Sequence, residues 1–526
     1  MASSPLTVNP ATTSSTEDVL LVSEADGERS LADAKLAAEK TEAAKPKAAA
    51  GGGVLRREIG IRGAVGLGLS SIIGTGVFVS IGIGAQIAGP VGVLVAIAIA
   101  CVTATCNALN SAQLAAYAPV SGGTYEYAYR LIHPFAGFMA GWMFLCAKIA
   151  SGASAAVGFA SYLVTLVRGD YLSGTSGVSL ASNDRWLVLG IAVGLVLILT
   201  IVVLLGIKLS NRANWGMLSV TLASLLFFVL NIVARIDRLP VRTGSDPFGS
   251  AKYPDRSPVL NVLEASAIMF VAFTGYGRVA TLGDEVRSPR QTIPRAIQVT
   301  VVLSAVVYAA TGAAAIMGAR SMADLVPNPG VAPLAVVVMR SWAGQGAIEW
   351  WAGAIVSIGA MTAMMGVLLN LVLGLSRMVM AMAKRGDFPP WFTYISAAGN
   401  PTPAIVLIGA TIVAVVIGTQ GEIGLTWTFS AVTVLVYYAI CNISALRLDE
   451  EHRMYSKAWG YMGTLICVGL VVFIDGKTWI AAGIVLGCGA VWHAISQYLF
   501  GANAPMGPSY KSGPLARGGA GPIVTE

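Results

Sequence analysis

The chain carries about a dozen uncharged apolar runs, most of them near the roughly 20 residues that an α-helix needs to cross a bilayer. They fall near 62–87, 91–117, 134–167, 186–206, 212–235, 259–283, 294–318, 346–382, 402–419, 424–447, 458–474 and 478–499. In lipid every backbone polar group must be paired inside the protein, so only helices and closed barrels cross. A barrel would read as short alternating segments, and these runs are long and continuous. The expected fold class is therefore all-α integral membrane protein, with about 12 transmembrane helices. Composition agrees: 12% of the 526 residues are charged, where a soluble chain has about 25%.

Residues 1 to about 55 are rich in Ala, Ser, Thr, Glu and Lys and poor in large apolar side chains, the composition of a disordered tail. The opening "MASSPLTV" hints at a plastid transit peptide, but Glu17, Asp18, Glu24, Asp26 and Glu28 oppose that reading, because transit peptides avoid acids. The Gly- and Pro-rich stretch 501–526 reads as a second disordered tail. The expected organisation is thus a cytoplasmic tail at 1–55, a transmembrane domain at 56–500 and a C-terminal tail at 501–526. An even number of spans puts both termini on one side. With both cytoplasmic, Arg56, Arg57, Arg62, Arg130, Lys208, Arg212, Arg287, Arg290, Arg295, Lys384, Arg385, Arg447 and Arg453 all fall inside. The loop 236–258, with Arg238, Arg242, Lys252 and Arg256, is the exception. A multi-pass protein of the plasma membrane is expected, with an organelle membrane as the alternative.

The net charge of +7 is spread over short loops with no basic stripe, so no nucleic acid partner is expected. Cys101, Cys106, Cys146, Cys441, Cys467 and Cys488 all lie in apolar segments and read as small core residues. His133, His452 and His493 are far apart, which argues against a metal site or a catalytic triad. No catalytic residue and no cofactor is expected. The sequon Asn442-Ile-Ser444 lies inside an apolar span and reads as structural.

Two spans are interrupted by glycines near their middle. Gly74-Thr75-Gly76 breaks the first, and Gly275 and Gly277 break the sixth. Glycine inside a helix costs about 1 kcal/mol relative to alanine. Matched breaks in corresponding spans, here five apart, point to a transporter built from two inverted repeats. Unwinding frees N–H and C=O groups that must be buried in protein or face a wet cavity. A zwitterion suits them: its carboxylate meets amides at a half-helix N-terminus, and its ammonium meets freed carbonyls. The competing reading is that these glycines only let helices pack closely. That reading is taken for Gly82 and Gly84.

Four stretches in order resemble the amino acid–polyamine–organocation (APC) superfamily of permeases. They are "GLGLSSIIGTGVFVSIG" at 66–82, "YAPVSGGTYEYAYRLIHPFAGFMAGW" at 117–142, "FVAFTGYGRVATLGDEVRSPRQTIPRAI" at 270–297 and "LSRMVMAMAKRGDFPPWF" at 375–392. The resemblance implies a LeuT-like core of five-plus-five inverted repeats with two further helices, and amino acid or related amine substrates. It places the substrate carboxylate at Gly74, Thr75 and Gly76, and the ammonium at carbonyls of Ile72, Val271, Ala272 and Thr274. Phe273, one residue away, is a candidate gate. Proton-coupled members often carry a lysine in span five; the matching residue here is Thr221, and no lysine lies within that helix. Many members carry an acid where this chain has Gly277, followed by Arg278. Coupling to H+ or Na+ stays open, with the Thr221 and Thr362 hydroxyls as candidate Na+ contacts.

Charges inside the spans are the other signal. Lys148 sits well within span three, where a lysine needs protein or water around it. It reads as a proton carrier, a contact for a substrate side chain, or a structural group, either in an ion pair or hydrogen-bonded to carbonyls of a broken helix. Arg278 follows the second break and either pairs with Asp284 or Glu285, gates the site, or snorkels to the interface. Glu264 reads as an interfacial residue, and "SGGTYEYAYRLIH" at 121–133 as a short amphipathic interfacial helix. If Lys148 or Arg278 lines the pocket, cationic side chains are disfavoured, leaving neutral amino acids, which are favoured, or acidic ones. The function read from the sequence is thus a secondary active transporter or exchanger of amino acids. The alternatives are a polyamine or amine permease, and a transporter-like amino acid sensor with a partner on its N-terminal tail.

Overall fold

The computed structural model describes residues 59–119, 122–168, 182–206, 211–238, 246–281, 286–320, 322–325, 332–345, 347–396 and 399–500. The expectations for both tails, and for Asp284 and Glu285, fall outside the described residues. Among those residues there is no strand, only an isolated parallel bridge between Ile59 and Val286. The helices are α1 Ile61–Ile72, α2 Ile81–Tyr117, α3 Thr124–Leu131, α4 Pro134–Arg168, α5 Ser182–Leu204, α6 Asn211–Ala234, α7 Pro258–Phe273, α8 Gly277–Ala280, α9 Pro289–Gly318, α10 Pro333–Ser341, α11 Ala347–Lys384, α12 Thr402–Gly418, α13 Ile423–Leu446, α14 Lys457–Val472 and α15 Gly476–Leu499.

Nine helical stretches among the described residues are long and apolar enough to cross a membrane, and α12 and α14 are shorter apolar helices. The first stretch, Ile61–Tyr117, is 57 residues long. At 1.5 Å per residue it would run to about 85 Å, far beyond the ~30 Å hydrocarbon core. It turns instead at Gly89, where φ is +78° and Pro90 follows. Positive φ alone favours glycine. The loop approaches here as well: a Cβ on Gly89 would lie 2.8 Å from the carbonyl carbon of Phe248.

Burial sorts the spans. The window in Pro258–Ala280 is 83% buried, while that in Gly476–Leu499 is only 11% buried. The α7–α8 stretch is therefore the centre of the bundle, packed on α2 and α13, and α15 is a peripheral span. Around the centre, α4 packs on α11 and α13, and α2 on α9. The span boundaries drawn from hydropathy lie close to these helices. The largest shift is at α9, which starts at Pro289 rather than 294 because Pro289 opens its first turn.

Several local readings change. Helix α3 exists, but its Tyr125, Glu126 and Tyr127 are buried against protein rather than laid on an interface. Arg385 Nε donates to Glu126 Oε1 at 2.9 Å, which stabilises the acid there. Glu264 is fully buried, not interfacial; Arg256 and Lys252 pair with it, as a buried carboxylate requires. Cys488 is exposed on α15, whereas Cys106, Cys441 and Cys467 are core residues. Asn442 is buried and donates to Asn107 Oδ1 at 2.7 Å, while Asn110 donates to its Oδ1 at 2.9 Å. This polar seam between α2 and α13 leaves no room for a glycan. Helix α10, nine residues and largely buried, has no counterpart in the hydropathy reading because it is too short to span.

One buried carboxylate joins three parts of the bundle. Asp387, after α11, accepts from Tyr125 Oη at 2.7 Å and from Gln497 Nε2 at 3.2 Å. His493 Nδ1 stands 3.4 Å away. The Asp387 carbonyl accepts from Trp492 Nε1 at 3.0 Å.

Candidate functional site

The first interruption is a true opening of the backbone. Helix α1 ends at Ile72, and Ile73 is extended, with ψ at 93°. The chain re-enters as a π turn over Gly76–Ser80 that leads into α2. Val77 N and Phe78 N donate back to Gly74 O at 3.2 and 3.4 Å. The amides before them stand at the start of a half-helix, where intrahelical acceptors run out. Ser80 Oγ donates to Gly76 O. Tyr162 Oη caps Phe78 O at 3.0 Å.

The second interruption is milder than the sequence reading of two unwound patches. From Phe273 to Gly277 the backbone stays right-handed, tightened to a 3-10 turn over Thr274–Tyr276. Side chains occupy its freed carbonyls. Thr274 Oγ1 donates to Val271 O at 2.7 Å. Lys148 Nζ donates to Thr274 Oγ1 at 2.8 Å and reaches Thr274 O at 3.5 Å. Tyr438 Oη reaches Thr274 O at 3.4 Å. Tyr308 Oη lies 3.0 Å from Ile72 O and 3.1 Å from Ala272 O, bridging the two interruptions. Each carbonyl retains a second lone pair.

The glycines here serve close approach. None of Gly74, Gly76, Gly275 and Gly277 has positive φ. A Cβ on Gly275 would lie 2.4 Å from the backbone of Ser71. One on Gly76 would lie 2.4 Å from Tyr308 Oη, and one on Gly74 2.5 Å from Val367 Cγ2. The packing explanation and the interruption are therefore one arrangement, in which the half-helices touch main chain to main chain beside the break.

Two adjoining cavities open there. The smaller, about 370 Å³, is walled by both interruptions, with Ile72, Thr75 and Gly76 on one side and Val271, Ala272 and Thr274 on the other. The larger, about 710 Å³, is lined by Phe144, Arg278, Asn370 and Arg377 among others. Ser71, Lys148, Thr274, Gly275, Val367 and Leu371 border both. Among the described residues, Thr75 Oγ1 in the wall of the smaller cavity and Asn370 Nδ2 in that of the larger are buried without a hydrogen-bond partner. Such orphans are costly unless a ligand or water pairs with them. Among the described residues, neither wall holds an Asp or Glu.

The structure does not bring every sequence candidate to this wall. Phe273 is fully buried and packs on Tyr308, ring centroids 4.7 Å apart, outside both linings. Gly74 packs behind the cavity, on Val367. Thr221 Oγ1 donates to Met217 O at 2.9 Å, and Thr362 Oγ1 to Ile358 O at 2.7 Å; neither lines either of these two cavities. Arg278 does line the larger one, beside Gly374. Sequence reasoning missed Tyr308, Tyr438, Trp427, Val367 and Asn370. Each is an ordinary residue of an apolar span, with no local spacing to single it out.

A bundle of membrane-crossing helices with two interrupted helices facing a shared cavity defines a membrane transporter of LeuT-like fold. The chain belongs to the amino acid permease family, whose profile matches residues 63–507. It is 33% identical over 452 residues to an uncharacterized transporter of Mycobacterium bovis, covering 85% of this chain and 92% of the relative. It is 27% identical over 298 residues to cationic amino acid transporter 1 of Arabidopsis thaliana, covering 56% of this chain and 46% of that one. Human cationic amino acid transporter 4 is 28% identical over 308 residues, with 56% and 45% covered. The family and the relatives' names are those of transporters, not enzymes.

Proposed function

We propose that the protein carries amino acids across its membrane by alternating access, with the substrate's main-chain groups held in the smaller cavity. The supporting observation is that this cavity lies between the two interruptions, so both half-helix ends border one space. The carboxylate meets the start of the second half-helix near Thr75 and Gly76, where the dipole is positive. The ammonium takes the spare lone pairs of Ile72 O, Val271 O, Ala272 O and Thr274 O. The free Thr75 hydroxyl gives the carboxylate a further donor. Rocking of one helix group against the other around this point opens the cavity to each side in turn. In the cell the reading is a multi-pass protein of the plasma membrane with both termini cytoplasmic.

Uptake of a panel of labelled amino acids into proteoliposomes tests this, with and without imposed H+ and Na+ gradients. Saturable uptake of at least one amino acid is the expected result, and the gradient arms assign the coupling ion. Binding without flux would instead identify a sensor. Uptake of polyamines alone would identify an amine permease.

A further inference from the structure

We propose that this site selects acidic amino acids, with the side-chain carboxylate drawn past Lys148 into the larger cavity. The inference rests on the transport reading above and adds the substrate class. Lys148 is 8% exposed and borders both cavities. It stands where a side chain leaves a main-chain group held between the interruptions. Its ammonium touches the two oxygens of Thr274, and the Phe144 ring lies 5.9 Å away. Among the described residues these partners are neutral, and a buried ammonium without a counter-charge is costly inside a membrane. A substrate carboxylate supplies that counter-charge only when the site is loaded.

One further group points the same way. Asn370 Nδ2 is buried in the larger cavity with no acceptor, so it can donate to a carboxylate oxygen. No carboxylate is among the described lining residues of that cavity, so its wall offers an anionic side chain donors without a competing acid. A lysine or arginine substrate would bring a second cation beside Lys148 where screening is weak. The cationic substrates named for the Arabidopsis and human relatives are therefore not those of this chain.

The test uses the purified full-length protein in proteoliposomes, with labelled L-aspartate and L-glutamate, L-alanine and L-leucine, and L-arginine and L-lysine. Acidic substrates are expected to enter about tenfold faster than cationic ones at limiting concentration. Lys148→Gln is expected to lower the ratio of acidic to neutral uptake about tenfold. Lys148→Glu is expected to move the preference toward arginine and lysine. If Lys148 variants fail to fold, Asn370→Leu and competition by unlabelled aspartate on the unmodified protein replace them, with loss of acidic uptake and strong competition expected. Arginine or lysine uptake with aspartate and glutamate excluded overturns the proposal and leaves the transport reading standing. An acidic-to-neutral uptake ratio unchanged in Lys148→Gln also overturns it. No uptake of any class overturns both.

Discussion

The two interruptions face the same cavity but are built differently. The first spreads the chain: one extended residue at Ile73, then a wide π turn, with donors left at a half-helix start. The second draws the chain in: a 3-10 turn whose carbonyls are already covered by Thr274, Lys148, Tyr308 and Tyr438. Exposed amides can receive a carboxylate directly, whereas covered carbonyls must share or exchange their partners. On the proposed transport reading, the first interruption serves as the anion subsite, and the second is a set of contacts that substrate has to negotiate.

The largest effect that would break this comparison comes from closing the gap between the two. Gly275→Val puts its side chain into the Ser71 main chain, and backbone cannot yield as a side chain can. Overpacking of this kind costs about 1–3 kcal/mol, sometimes more. Transport should vanish and thermal stability of the purified protein should drop, whereas Gly194→Val, whose Cβ would meet nothing within 4 Å, should leave both unchanged. Gly76→Val comes next. It meets the Tyr308 hydroxyl, the Ala272 methyl and, less closely, the Ala272 main chain, so initial uptake should fall by about two orders of magnitude, a binding loss worth ~3 kcal/mol. Tyr308→Phe removes the hydroxyl shared by Ile72 O and Ala272 O. A lost bond to a buried carbonyl costs about 1–3 kcal/mol, and a lower melting temperature with weakened uptake is expected. Thr75→Val is the smallest. It deletes a hydroxyl without a partner, so stability should hold or rise slightly while substrate affinity falls by about 1 kcal/mol, readable as a several-fold higher KM. An unchanged KM would remove Thr75 from the carboxylate subsite.

The spans were legible because the bilayer imposes a length and a polarity that hydropathy records directly. The interruptions were legible because glycine in mid-span is conspicuous. The form of each interruption was not: Gly74 and Gly275 look alike in sequence, and only their neighbours, Val367 for one and the Ser71 backbone for the other, set their surroundings. The same limit hid Tyr308, which reaches Ile72 across 236 residues of chain. Phe273 was named for its place next to the carbonyls, but a helix turns about 100° per residue, so the next side chain along points elsewhere. Glu264 read as interfacial because its partners Arg256 and Lys252 sit in a loop that hydropathy treats as solvent. Helix α10 was lost for want of length, since a nine-residue segment carries no spanning signal.

The buried Asp387 has a bearing on how such a bundle moves. It fastens the chain after α11 to the short helix α3 through Tyr125, and to the outermost span through Gln497 and Trp492. A shift of the long helix α11, which forms part of the cavity wall, must either carry α3 and α15 along or strip an anion of its donors. On the proposed rocking motion, the nearly naked α15 is an outrigger, setting how far the C-terminal end of α11 swings before the cost of an unsolvated charge halts it.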